Sequence, residues 1–394
     1  MKDKKIEKLI KAERARQQKA INLIASENYV SADVLKALGS ELVNKYAEGY
    51  SALRYYGGNE VIDELERECQ ARALKLFKLK AKDWAVNVQP LSGSPANLAV
   101  YLALVKPGDK IMGMSLDHGG HLTHGHKVSI TGKIWRQVPY GVSRQTEQLD
   151  YDEIEKIALK EKPALIVAGY TAYSRTVDWQ RFRKIADKVG AFLMVDMSHL
   201  AGLVAGGAYP SPFPYADMVT TTTHKTLRGP RSALIFSRLD DRGLAKKIDK
   251  AVFPGVQGGP HANQIAGVAV ALAEAARPEF KKYARQVMKN AKVLAKELGK
   301  LGWRIVSGGT DSHLFLVDTC RPPVGGGAIS GKEASEKLER AGIIVNKNAI
   351  PFDTRPPADP SGIRLGTAAL TTRGKKEKDM IALAKKIDQI LRQK

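Results

Sequence analysis

The sequence is short of several things. It has only two cysteines in 394 residues, Cys69 and Cys320, far apart in the chain. That number builds no disulfide scaffold, and a reducing cytoplasm is the expected setting. No apolar run approaches the roughly 18 residues that a membrane-crossing helix needs. Aromatic residues make up 7% of the chain, and no nucleic-acid-binding motif is present. Acidic residues are also scarce: 41 Asp and Glu stand against 63 Lys and Arg, a formal charge of +22. The basic residues are spread along the chain, so the excess reads as a background or solubility trait, or as attraction of an anionic ligand, rather than a nucleic-acid footprint. The opening stretch, MKDKKIEKLIKAERARQQKA, is basic but carries Asp3, Glu7 and Glu13 and has no apolar core. It predicts an amphipathic first helix and neither a secretion nor a transit signal.

What is present is average for a globular protein, with 43% hydrophobic and 26% charged residues. The length asks for two domains, or one large and one small. From about residue 84 to 236, short apolar runs alternate with helical patterns. Strands are expected at 84–89, 109–115, 133–140, 164–170, 191–196, 219–223 and 232–236. Helices are expected at 95–105, 151–162 and 179–190, the last closed by a glycine. Such alternation means a mostly parallel sheet covered by helices. From about 264 the texture changes. A long Ala-rich helical stretch runs through 265–276 and on past a proline to 302. Strand-like pieces at 303–308, 312–318 and 342–347, a Gly/Pro loop at 321–331 and a final basic helix suggest a small α/β domain.

Chemistry collects at a few places. SGSPAN (92–97) lies between a strand and a helix, with Ser94 suited to the N-cap and Pro95 to the first turn. The free N–H groups of such a helix end favour phosphate, and Gly93 lets a ligand approach the backbone. SLDHGGHLTHGH (115–126) holds four of the eight histidines. Metal ligation is one reading; a flat imidazole stacked on a planar cofactor is another. Asp196 ends the apolar strand AFLMVD, where an unpaired carboxylate is costly, so it should meet a cation or a strong donor: a structural salt bridge, or a protonated pyridine nitrogen. Lys225 follows the strand in DMVTTTTHKTLRGPR, at the end where α/β proteins place ligands. A phosphate cradle, a carboxylate and a lysine in that order are what pyridoxal phosphate requires. Arg364, in the apolar run SGIRLGT, fits an amino-acid carboxylate or an interdomain salt bridge. The Gly-rich loop FPGVQGGPH (253–261) could wrap an anion through its backbone.

The motifs IASENYVS, NKYAEGY, RYYGG, LSGSPAN, HGGHLTHG, VDMSHLAGLVA, TTTTHKTLRGPR, FPGVQGGP, VNKN and SGIRLGT occur in this order. Together they closely resemble the serine hydroxymethyltransferase family, from about residue 6 to 390. The resemblance implies an α/β chain of pyridoxal-phosphate fold type I. It has an N-terminal arm and dimer-contact segment (1–55) and a large cofactor-binding domain (56–264) with a mostly parallel seven-stranded sheet between helices. A linking helix and small C-terminal α/β domain follow (265–394). It implies reversible transfer of the serine hydroxymethyl carbon to tetrahydrofolate, giving glycine and 5,10-methylenetetrahydrofolate, in a cytoplasmic homodimer or tetramer with shared sites. By the same resemblance, Lys225 is the Schiff-base lysine, with His224 beside it. Asp196 partners the pyridine nitrogen, His121 stacks on the ring, and His199 lies near the ring hydroxyl and substrate. Gly93, Ser94 and Thr171 contact the cofactor, with Tyr46 and Gly259 from the neighbouring subunit. Ser26 and Arg364 take the substrate carboxylate. Glu48 is the acid/base carboxylate and Tyr56 flanks the substrate. Tyr55, Leu116, Gly120, Leu122 and Asn348, with Glu48, match the folate site. No metal, membrane or nucleic-acid partner is implied.

The chain departs from the family pattern in SALIF after GPR, in the long loop 321–331, and in its charge, for which the polyglutamate tail of folate is the anionic ligand expected. Two rival readings are a folate-independent threonine aldolase, opposed by the matches at Tyr55, Asn348 and HGGHLTHG, and a non-catalytic RNA-binding protein, opposed by Lys225 and its phosphate loop.

Overall fold

The computed structural model describes residues 1–324 and 326–393. Gly325, within the Gly/Pro loop, and the terminal Lys394 lie outside the described residues.

Seven strands form the main sheet: β1 (Trp84–Asn87), β2 (Lys110–Met114), β3 (Arg136–Tyr140), β4 (Leu165–Gly169), β5 (Phe192–Asp196), β6 (Met218–Thr222) and β7 (Ala233–Arg238). Their order is β1-β7-β6-β5-β4-β2-β3. Only β7 runs against its neighbours, so the sheet is mostly parallel, as expected. β4 and β6 are buried along their whole length and β5 everywhere but at Phe192, which explains why they read as continuous apolar or threonine runs with no alternation. A four-stranded antiparallel sheet follows, made of β8 (Arg304–Ile305), β9 (Leu314–Asp318), β10 (Asn346–Asn348) and β11 (Gly362–Gly366) in the order β8-β9-β11-β10. A separate apolar cluster that includes Leu23, Leu294, Phe315, Leu338, Ile363 and Met380 packs around it.

Helix α1 (Lys4–Lys19) forms as expected, capped by the Asp3 carboxylate on the N–H groups of Lys5 and Ile6. It buries no residue against its own chain. Three local expectations are corrected. Helix α2 (Gly93–Leu104) begins before the predicted Ser94 cap: Ser92 is the cap, and its side chain makes no capping bond. Residues 133–134 belong to a short helix, Ile130–Ile134, and the strand starts only at Arg136. The long Ala-rich stretch is two helices, α3 (Ala262–Ala275) and α4 (Pro278–Lys300). Proline forces the preceding residue out of helical geometry, and Arg277 is extended at φ −74°, ψ 151°. Pro278 then opens α4 at a position where its missing N–H is not needed.

The register places the site. Gly169 pairs with Asp196 and Asp196 with Thr220, so β4, β5 and β6 end at one edge. The segments leaving that edge carry Thr171, His199 and Lys225. The end of β1 leads to α2 at the same edge, and β2 leads to the histidine loop.

Candidate active site

Between this edge and the small sheet lies a cavity of about 390 Å³. It is lined by ten of the residues the sequence singles out: Ser26, Gly93, Ser94, His121, Thr171, Asp196, His199, His224, Lys225 and Arg364. They come from seven separate stretches of chain, so the fold alone brings them together.

Asp196 is 8% exposed at the end of β5. Burial pushes its carboxyl up, but its partners outweigh that and hold it well below the usual carboxylate range. His124 Nε2 donates to Oδ2 at 3.1 Å, Asn97 Nδ2 to the same oxygen at 2.9 Å, and the Ser198 N–H to Oδ1 at 3.1 Å. Asn97 is itself aimed: Thr220 Oγ1 donates to its carbonyl at 2.8 Å, which turns the amide nitrogen toward Asp196. Asn97 also reaches Thr123 Oγ1 at 3.0 Å. The Thr123 N–H and hydroxyl both meet His121 Nδ1, at 3.1 and 2.6 Å. Nδ1 is therefore an acceptor, and the proton of neutral His121 sits on Nε2. Burial first, and the neighbouring cations after it, push His121 down to about 4, so its ring is neutral at physiological pH.

Lys225 stands three residues past β6, with its backbone carbonyl held by Asn28 Nδ2 at 2.9 Å. Burial pushes its amine down to about 8, aided by Arg364 and Arg231 and opposed by Asp196. A lysine so placed gives up its proton far more readily than a solvated one, and the free amine is the form that attacks a carbonyl. His224 beside it is pushed down to about 3 by burial and the Lys225 charge, and its Nδ1 is buried without a partner.

Arg364 points from β11, 8% exposed. No carboxylate pairs with it among the described residues. Instead Nε donates to Asn346 Oδ1 at 3.1 Å and one terminal nitrogen to the Thr171 carbonyl at 2.5 Å. Burial pushes it down to about 10. A buried guanidinium without an acid, its remaining donors free, is built to receive an anion. The interdomain salt bridge considered from the sequence is absent among the described residues; an interdomain hydrogen bond to Thr171 takes its place. Thr171 itself donates its hydroxyl to the Gly120 carbonyl at 2.7 Å.

The site fits pyridoxal phosphate. One end is the N-terminus of α2, with Ser92, Gly93 and Ser94 on the cavity wall. A Cβ at Gly93 would stand 2.7 Å from Thr222 Cγ2, so glycine is what lets the helix end sit against β6. The Thr222 hydroxyl is buried there with no partner, a free polar group beside a ready anion site. The Asp196 carboxylate and Lys225 line the same cavity.

The remaining predicted residues do not line this cavity. Tyr46, Glu48, Tyr55, Tyr56 and Gly259 form a second group. Tyr46 donates to Glu48 Oε1 at 3.2 Å and meets Tyr56 edge-on at 5.5 Å. It covers Gly259, where a Cβ would lie 3.4 Å from its ring, and Tyr55 packs on Phe253. These tyrosines are 50–73% exposed. Of the residues matched to folate, Leu122 is exposed, Gly120 is buried against the end of β2, and the Asn348 amide is engaged by its own neighbour's carbonyl at Ala349.

The other two clustered histidines serve locally: His118 Nδ1 accepts from the Val142 N–H and His126 Nδ1 from the Val128 N–H. Among the described residues no group of three or more His, Cys, Asp or Glu is placed to hold a metal. Sequence reasoning missed Asn97, His124, Ser198 and His313. The HLTH spacing was the signal for His124, and SPAN for Asn97. His313 gave no signal.

The whole chain from residue 1 to 387 matches the family model for serine hydroxymethyltransferase. It is 54% identical over 389 residues to the serine hydroxymethyltransferase of Desulfotalea psychrophila, covering 99% of this chain and 88% of that one. Over 384 residues it is 56% identical to that of Legionella pneumophila strain Lens, covering 98% and 90%. Over 369 residues it is 55% identical to that of Acidobacterium capsulatum, covering 94% and 84%. The chain belongs to the serine hydroxymethyltransferase family. Its α/β architecture is that of pyridoxal-phosphate fold type I. No helix among the described residues is long and apolar enough to cross a membrane.

Proposed function

We propose that this chain is a pyridoxal-phosphate-dependent serine hydroxymethyltransferase that moves the hydroxymethyl carbon of serine to tetrahydrofolate, releasing glycine, and runs in both directions. The observation that carries the reading is Lys225: a buried amine, pushed down to about 8, sharing one cavity with an ionised Asp196, an unpaired Arg364 and a helix N-terminus.

Bound there, the cofactor supplies an aldehyde for amines and a ring that takes up the electron pair released when the serine Cα–Cβ bond breaks. Lys225 is the amine that would hold the cofactor's aldehyde and give way to the substrate amine. Asp196 keeps a proton on the pyridine nitrogen, as its own network keeps it charged. Ser92, Gly93 and Ser94 take the phosphate, and His121 presents a neutral ring face. Arg364 and Ser26 bind the substrate carboxylate, which orients the bond to be broken. Glu48 accepts the proton of the serine hydroxyl, Tyr56 flanks the substrate, and Tyr55 lies on the folate side.

The second group of residues reaches this cavity from another copy of the chain. Its tyrosines are exposed and its Glu48 does not line the cavity of its own chain, which supports a homodimer with shared sites. We assign residues 1–55 to the arm that makes this contact, 56–264 to the cofactor-binding domain and 265–394 to the linking helices and small domain. A cytoplasmic setting suits a chain with two free cysteines.

The test is the visible absorption of the purified protein with pyridoxal phosphate, then with glycine, then with glycine and tetrahydrofolate, alongside a serine-cleavage assay. A yellow protein that gains a strong red-shifted band only when tetrahydrofolate joins glycine is the expected result. A yellow protein indifferent to folate overturns the carrier and favours an aldolase. A protein that takes up no cofactor overturns the enzyme.

A further inference from the structure

His199 lines the cavity, and directly behind it stands a histidine from the other sheet. His313 immediately precedes β9, is wholly buried, and does not itself reach the cavity. Its Nε2 lies 3.1 Å from His199 Nδ1. The two rings are nearly parallel, at 27° with centroids 5.3 Å apart. The contact joins the main sheet to the small one at the point where the site closes. Two facing imidazole nitrogens cannot both be bare, nor both carry hydrogen, without losing the bond. The pair must therefore share one proton.

Which ring owns it decides what His199 shows the ligand. If His313 Nε2–H donates, His199 Nδ1 accepts and His199 Nε2–H faces outward as a donor. If His199 Nδ1–H donates, its Nε2 faces outward as a bare acceptor, and His313 must carry its proton on Nδ1. That second atom is buried with no hydrogen-bond partner among the described residues. A backbone contact with Ala25 favours the protonated ring, but Nδ1 makes no hydrogen bond to it. An orphaned N–H in the interior costs more than an orphaned lone pair. We propose that His313 is a positioning residue: by donating from Nε2 to His199 Nδ1 it fixes His199 as an Nε2–H donor aimed into the cavity.

The surroundings agree. Both rings are neutral: burial first, then Lys225 and Arg364, push His199 well down, and burial and Arg364 push His313 down to about 3. A cavity that holds an unpaired guanidinium and a lysine receives anionic oxygen atoms, which need donors. In a neutral imidazole, the partner of one nitrogen sets what the other can do, and the wrong tautomer disables a histidine whose geometry is intact. Deepening the reaction proposed above, and resting on it, His313 acts through His199 without touching the substrate.

The experiment uses His313→Leu, which removes the donor, and His313→Gln, whose amide nitrogen can stand where Nε2 stood. The first readout is nitrogen-15 NMR of histidine-labelled protein free of cofactor, with the His199 signal assigned by its loss in His199→Asn. The wild type is expected to show His199 with a bare Nδ1 and a protonated Nε2, and His313→Leu to lose that preference. The second readout is serine cleavage by the loaded enzyme. His313→Leu is expected to lower kcat about tenfold or more while KM moves less than about threefold, and His313→Gln to recover most of the loss. A wild-type His199 protonated on Nδ1 overturns the assignment. So does a His313→Gln variant as impaired as His313→Leu, because packing alone would then explain both. A wild type that binds cofactor but cleaves no serine refutes the proposed function instead, and the NMR comparison still decides the role of His313.

Discussion

Lys225 is the residue on which stability and chemistry pull apart. Its folded amine sits at about 8, against about 10.4 in an unfolded chain. Below pH 8 both states are protonated, and the folded protein bears the full penalty of a buried cation. Between pH 8 and about 10.4 the unfolded chain holds more protons, so stability rises with pH across that window. The penalty is up to about 3 kcal/mol. Lys225→Met is therefore expected to abolish activity yet raise the stability of the cofactor-free protein at pH 7, with the difference from wild type shrinking as pH approaches about 10. Urea denaturation of both proteins at pH 7 and pH 9.5 measures it. A variant no more stable than wild type at pH 7 would show that the amine is not desolvated. Lys225 and Asp196 were legible in the sequence because each directly follows or ends a strand with a clear pattern. His313, His124 and Asn97 were not, because their roles depend on partners 72 to 123 residues away. Only the folded register supplies those distances.

At the scale of elements, the helix α2 that opens at Gly93 forms the end of the cavity proposed for the phosphate, and its position depends on one missing methyl. With a Cβ 2.7 Å from Thr222 Cγ2, Gly93→Ala must push the first turn away from β6. Both elements are packed elsewhere, so the fold should survive while the cradle opens. The expected result is a dissociation constant for pyridoxal phosphate raised about tenfold or more, with a melting temperature within a few degrees of wild type. Titration followed by absorbance checks it; unchanged affinity would remove the phosphate from this helix. The elements that the sequence misjudged were those with weak local signals. Ser92 and Ser94 are equally good caps, and only contact with β6 chooses between them. The Ala-rich run looks continuous until Pro278 is allowed to end one helix and begin the next. The central strands β4, β5 and β6 were legible because strands buried on both faces demand continuous runs, whereas β3, half-exposed at the sheet edge, gave a weaker signal and its start was misplaced.

Over the whole molecule, the charge of +22 is less evenly placed than the sequence suggests. On α4, every exposed side chain from residue 281 onward is cationic: Lys281, Lys282, Arg285, Lys289, Lys292, Lys296 and Lys300. Among the described residues only Lys300 of these has an acidic partner, Glu297. None of them lines the cavity, so this stripe acts on ligands only through a long-range field that salt screens within about 10 Å. On the proposed function, the site is completed by association of two copies. One chain presents Lys225, Asp196 and Arg364 in a cavity, and presents Glu48 with its tyrosines elsewhere on its surface. If each cavity takes Glu48 from the other copy, two inactive variants should rescue each other. Lys225→Met spoils the cavity of its own chain, and Glu48→Gln spoils the cavity opposite. In a mixed dimer one site then carries both lesions and the other carries none. Random reassociation of equal amounts makes half the dimers mixed, each with one good site, so activity should return to about a quarter of the wild-type value. Unfolding and refolding the two variants together, then assaying serine cleavage, makes the measurement. No recovery, from a mixture shown to contain mixed dimers, would mean that Glu48 and Lys225 serve the same chain and that the exposed tyrosine cluster has another use.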